Sequence, residues 1–90
     1  MMRKIVTENK FKRDAKKLIT HLMTPEWAEA INCLCKDLPL PEKYSDHALV
    51  GEWKDFRDCH IKPDVVLIYL KKDDDILQLV RLGSHSELFG

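Results

Sequence analysis

Three of the four histidines of this 90-residue chain, His47, His60 and His85, stand at or beside the ends of short runs with strand character. They occur in Asp46-His47-Ala48-Leu49-Val50-Gly51, in Cys59-His60-Ile61-Lys62-Pro63-Asp64 and in Gly83-Ser84-His85-Ser86. Histidine titrates near neutral pH, so one ring takes and returns a proton within a catalytic cycle, a service worth about 10²–10⁴ in rate. Cleavage of RNA by its own 2′-hydroxyl needs that service twice. A base removes the 2′ proton, an acid protonates the departing 5′ oxygen, and a cation offsets the extra charge on the phosphorane-like transition state. His60 or Asp64, His85 and Arg81 are residues of the required types. Arginine suits the third role because its planar fork stays charged and holds two phosphate oxygens together. The plain alternative for any one of them is an exposed polar side chain, or for Arg81 a simple pairing with one of the many carboxylates.

Two other chemistries draw on the same residues. Two histidines and Asp64 are of the types that bind a transition metal, but no His-x-x-x-His or Glu-x-x-His spacing occurs on either predicted helix. No metal or other cofactor is therefore expected. Cysteine catalysis is disfavoured because Cys59 alternates with His60 along a strand and faces the other side, which makes it a core residue. Cys33 and Cys35 lie about 200° apart around a helix and cannot easily grip one ion. Three cysteines cannot all pair within one chain, which favours a reducing, cytoplasmic setting. No apolar run approaches the roughly 20 residues that a membrane helix needs. The basic opening from Met1 to Val6 leads into a charged amphipathic stretch rather than a signal sequence.

These residues require a scaffold, and residues 1–90 are enough for one domain with one core. Ile5 and Val6 suggest an opening strand. Phe11, Ala15, Leu18, Ile19 and Leu22 then form a helical stripe. Lys12, Arg13, Lys16 and Lys17 occupy the rest of that helix, and residues 1–22 hold seven Lys/Arg against two Asp/Glu although the whole chain is neutral. Such polarity suits a polyanionic partner or a merely solvated face. Thr24-Pro25 reads as an N-cap and first helical position. Trp27, Ile31, Leu34, Cys35 and Leu38 form a second stripe, ended by Pro39 and Pro41. Strands follow over His47–Gly51, Phe56–Lys62, Val65–Lys71 and Ile76–Leu82. The run Val65–Leu70 is apolar on both faces, as a covered central strand should be. Lys72-Asp73-Asp74-Asp75 is a hairpin turn. The order predicts an α+β domain, with an N-terminal strand and a helical hairpin packed on an antiparallel sheet.

Four blocks in order carry a family likeness: Asp46-His47-x-Leu49-x-Gly51, Arg57-Asp58-Cys59-His60-Ile61-x-Pro63-Asp64, Leu67-Ile68-Tyr69, and Arg81-x-Gly83-Ser84-His85-Ser86-x-Leu88-Phe89. In these the chain resembles the YafQ branch of the RelE/ParE toxin superfamily, while residues 1–41 match only as a charged helical hairpin. The resemblance implies a RelE-like fold, metal-independent cleavage of messenger RNA in the ribosomal A site, and neutralisation by a partner antitoxin. It assigns His47, His60, Asp64 and His85 to proton transfer or substrate orientation, and Arg81 to the phosphate. Phe89 would pack or stack near the substrate, and Lys12, Arg13, Lys16 and Lys17 would meet ribosomal RNA. Relatives carry tryptophan where this chain has Val65, so a stacking surface is expected to be missing there. The alternatives within the superfamily are a ParE-type binder of DNA gyrase and a RelE fold with weakened catalysis.

Overall fold

The computed structural model describes residues 2–90, so Met1 at the head of the opening segment lies outside it. The chain forms β1 (Lys4–Thr7), α1 (Asn9–Lys17), α2 (Ile19–Leu22), α3 (Pro25–Cys35), β2 (His47–Ala48), β3 (Arg57–Lys62), β4 (Val65–Lys72), β5 (Ile76–Gly83) and α4 (His85–Phe89). The sheet order is β1-β5-β4-β3-β2. Strands β2 to β5 pair antiparallel as expected. The first strand instead joins the edge parallel to β5, which makes the sheet mixed. With β1 and β2 at opposite edges, the helices between them carry the chain across one face. No helix among the described residues is long and apolar enough to cross a membrane.

Strand β4 is central and buried on both sides from Val65 to Tyr69. Its side chains divide by the period of two between separate clusters. Val65, Leu67 and Tyr69 join Phe11, Ala30, Leu34, Cys59 and Leu79 beneath the helices. Val66 and Ile68 meet Val80 and Leu88 on the far face, covered by Leu49, Trp53, Phe56 and Phe89. Full burial of one such aliphatic side chain stabilises the fold by about 1.5–3 kcal/mol.

The helical stripes hold with two corrections. Ile19 is 53% exposed, because the first helix breaks at Leu18. There the Leu18 N–H bonds to the Ala15 carbonyl, an i→i−3 link at 3.1 Å, and this tighter turn rotates Ile19 out of the stripe. Leu38 is 50% exposed, since α3 ends at Cys35 and not at the prolines. Asp37 adopts φ 57°, its N–H bonds to the Leu34 carbonyl, and the Leu38 N–H bonds to the Cys33 carbonyl at 2.9 Å. This is a Schellman closure with aspartate in the left-handed position. Arg3 and Lys71 bind the same Asp37 carboxylate and hold its pKa at about 2. At the other end of α3 the expected cap is present, with Thr24 Oγ1 accepting from the Trp27 N–H at 3.3 Å, an interaction worth about 1 kcal/mol.

Candidate active site on the far face of the sheet

The far face, opposite the helices, collects most of the residues singled out by chemistry. His47 on β2 pairs across the ladder with Asp58 on β3. Its Nδ1–H donates to the Ser45 carbonyl at 2.9 Å and lies 3.1 Å from Asp58 Oδ1. A carbonyl only accepts, so the neutral ring carries its proton on Nδ1 and its lone pair on Nε2. The segment carrying His47 is pinned from the helix side. Asp46 accepts from Arg57 Nη2 at 3.0 Å and from the Tyr69 hydroxyl, while Arg57 Nε donates to that hydroxyl at 3.3 Å. The Asp46, Arg57 and Tyr69 of the sequence blocks are thus the brackets of the histidine loop.

Asp58 is the only fully buried acid among the described residues, and neither of its oxygens is hydrogen-bonded. Burial pushes its carboxyl above the ordinary carboxylate range, opposed in decreasing order by the charges of His47, His60 and His85. Of the three, His47 is in contact with that carboxyl, at 3.1 Å, while His60 and His85 act on it through their charges. His60 lies two residues further along β3, on the same face, beyond the end of the short β2.

A carboxyl held high binds its proton more tightly in the folded chain than in the unfolded one. Its contribution to stability is full below the usual carboxylate range and is lost as pH rises through the raised value. Asp58→Asn is expected to remove that component. Urea unfolding from about pH 4 to pH 7 would show the native chain losing stability relative to the variant as pH rises. Parallel curves would contradict the burial effect. The comparison is needed because Asp37, Glu26, Glu29 and Glu87, all held low by their partners, slope the other way.

His85 is presented by α4, whose start is a capping box. Ser84 Oγ accepts from the Glu87 N–H at 3.2 Å, and Glu87 Oε1 accepts from the Ser84 N–H at 2.9 Å. The spacing Ser84-x-x-Glu87 is a legible signal for this helix. Gly83 permits the close return, since a Cβ there would stand 3.3 Å from Glu87 Oε1. Leu88 anchors the helix in the far-face core. Phe89 lies 4.6 Å from the His85 ring between centroids and 6.2 Å from Trp53, so it serves both packing and the exposed surface. Trp53 and Phe56, which the sequence reading passed over, meet edge-on at 5.4 Å.

Arg81 is held by α1. Its Nε donates to Asp14 Oδ2 at 2.7 Å and its Nη2 to Asp14 Oδ1 at 3.3 Å. Asp14 Oδ2 also accepts from the Leu82 N–H at 3.0 Å. Pairing with β1 reaches only to Leu79, and Asp14 satisfies part of the β5 edge beyond it. Arg81 shares a cleft with Lys10, Arg13, Asp14 and Lys17. Arg13 and Lys17 of the expected basic set are thus brought beside Arg81, whereas Lys12 and Lys16 are exposed and line none of the clefts around it. Lys10 was the missed member, although 10, 13 and 17 follow the i, i+3, i+7 rule for one helix face.

Asp64 stands exposed in the β3–β4 turn and is not among the charges acting on Asp58. Val65 is 3% exposed and belongs to the helix-side core, so the position where a stacking surface was expected to be missing lies in the core and not on the far face. Cys59 is fully buried and burial pushes its thiol up, which leaves it without nucleophilic character. Among the described residues no three His, Cys, Asp or Glu side chains are grouped to hold a metal ion.

Residues 3–90 match the family described as the bacterial toxin of type II toxin–antitoxin systems, YafQ. Over 53 residues the chain is 53% identical to the Escherichia coli protein named mRNA interferase toxin YafQ, an alignment covering 59% of this chain and 56% of that one. Among solved structures, a copper-bound mutant toxin from Helicobacter pylori superposes with a TM-score of 0.88 at 49% identity, covering 99% of this chain and 100% of that one. The toxin–antitoxin complex DinJ–YafQ of E. coli matches with a TM-score of 0.82 at 36% identity over the full length of both chains.

Proposed function

The chain belongs to the YafQ family of bacterial toxins of type II toxin–antitoxin systems, and from that premise we propose that it is an endoribonuclease that cuts messenger RNA on the ribosome. The observation that carries the proposal is a far face on which His47 meets the buried Asp58 at 3.1 Å, the charges of His60 and His85 act on the same carboxyl, and Arg81 stands on β5, across β4 from β3. Relatives named as mRNA interferases favour this over gyrase binding.

In the reaction the 2′ oxygen attacks the adjacent phosphorus and the 5′ oxygen leaves, giving a 2′,3′-cyclic phosphate and a 5′-hydroxyl. His47 is the best prepared base, because the Ser45 carbonyl holds the proton of its neutral ring on Nδ1 and leaves Nε2 to accept one. His85, exposed at the start of α4, donates to the leaving 5′ oxygen. Arg81 holds the non-bridging oxygens, with His60 orienting the ribose side and Asp64 at the rim. The scheme uses no cofactor. Lys12 and Lys16, exposed and turned away from Arg81's clefts, face ribosomal RNA, and Phe89 contacts the substrate beside His85. The working compartment is the cytoplasm, where the chain meets its cognate antitoxin and translating ribosomes.

Mapping of messenger RNA 5′ ends after brief induction tests the proposal. New ends should recur with codon periodicity inside reading frames and be absent from untranslated RNA. Cuts independent of the reading frame would remove the ribosome from the mechanism, and an unchanged end map would remove the nuclease.

A further inference from the structure

We propose that the cleft between the start of α1 and the Trp53–Phe56 segment is a nucleotide subsite, taking the base next to the scissile phosphate against the two aromatic rings. This deepens the nuclease reading and rests on it. The cleft has a volume of about 610 Å³, within the roughly 300–1,000 Å³ span of small-ligand sites. Trp53, Phe56 and Val80 supply its apolar lining, Asn9 and Lys10 its polar lining, and Arg81 is common to it and to the adjoining basic cleft.

That division matches the chemistry of a nucleotide, which has an apolar base face, polar base edges and an anionic phosphate. Aromatic rings that are half-buried and line an open cleft are suited to stacking, the sequence-tolerant way of holding an unpaired base. The Asn9 amide both donates and accepts, as base edges require. The one carboxylate in the lining, Glu8, is engaged elsewhere, accepting from Gln78 Nε2 at 2.7 Å. Arg81 is fixed by Asp14, so a strand whose scissile phosphate sits at Arg81 enters this cleft on one side. On the other it meets Lys10, Arg13 and Lys17, which line the basic cleft.

Trp53 and Trp27 are the chain's two tryptophans, and Trp27 stacks on Phe11 on the helix side. In a Trp27→Phe background, Trp53 is therefore the sole indole reporter. Titration with a 2′-deoxy trinucleotide, which lacks the attacking hydroxyl, should quench its fluorescence saturably. Lys10→Glu should weaken that binding about tenfold. In the ribosome-programmed assay Trp53→Leu should raise KM about five- to a hundredfold, the range of base–aromatic stacking, with a smaller effect on kcat, and Trp53→Tyr should restore most of the loss.

No quench, or a quench and KM indifferent to both substitutions while the native chain still cleaves and His85→Ala does not, would overturn the subsite alone. A native chain that cuts no RNA would overturn the nuclease reading instead. Displacement of the trinucleotide by an acidic peptide at equal concentration would assign the cleft to a protein partner and overturn the proposal. Should circular dichroism show Trp53→Leu unfolded, Lys10→Glu decides, because Lys10 is exposed and outside the core.

Discussion

With His85 replaced by alanine, ribosome-programmed cleavage of messenger RNA falls by about 10²- to 10⁴-fold, the full contribution of a positioned proton donor, while the chain stays folded and still binds its antitoxin. The separation follows from how α4 is built. His85 is an exposed first residue of the helix, and alanine is the best helix former. The capping box runs between Ser84 and Glu87, and Leu88 provides the anchor in the core. None of these involves the imidazole. What the substitution does remove is the ring lying 4.6 Å from Phe89, a small loss of packing at the surface. Cleavage rates, far-ultraviolet circular dichroism and antitoxin titration on the same preparation check the result. Cleavage within a fewfold of native would end the assignment of His85 as the acid.

Arg81→Ala is expected to lower kcat by about 10²- to 10³-fold, as loss of a single preorganised donor to a charged transition state does elsewhere. Arg81→Lys should recover only part of this. An ammonium is a point charge, whereas the guanidinium grips both oxygens of Asp14 with Nε and Nη2 and still has N–H groups to offer a phosphate. Single-turnover rates at saturating RNA separate the chemical step from binding. Urea unfolding is measured alongside, because the alanine variant leaves a mostly buried Asp14 with only the Leu82 N–H and costs stability as well. A lysine variant as fast as the native chain would show that charge alone suffices and that the fork held by Asp14 has no part in catalysis.

Much of the fold was legible because the longer elements show their period, whereas the strand expected over His47–Gly51 is only His47–Ala48. The β4 run carries apolar residues on both faces, which only a central covered strand tolerates. Phe11, Ala15 and Leu18 mark one helix face, and Thr24-Pro25 marks a helix start. The misplacements, Ile19 and Leu38, sit where a local hydrogen-bond pattern overrode periodicity. An i→i−3 turn at Leu18 and a left-handed Asp37 decided those ends, and neither carries the glycine or proline by which such stops are usually read. The parallel pairing of β1 was likewise invisible, because Ile5 and Val6 give strand character without a partner.

The site divides in the same way. Residue types and spacing alone singled out His60 or Asp64, His85 and Arg81 as groups with proton and phosphate chemistry to offer, to which the family resemblance added His47, and they showed that Cys59 faced the core and that the basic charge lay on the first helix. These follow from side-chain pKa, from the two-residue period of strands and from counting charges. Only the tertiary structure decided that His47 meets the buried carboxyl of Asp58, that Asp14 holds Arg81, that Lys10 belongs with Arg13 and Lys17 beside it, and that Trp53 and Phe56 rather than position 65 bring aromatic rings to the far face. Each of these rests on a contact between different elements of the fold. Such contacts depend on strand order, register and the path of the helices over the sheet, and no local pattern encodes those.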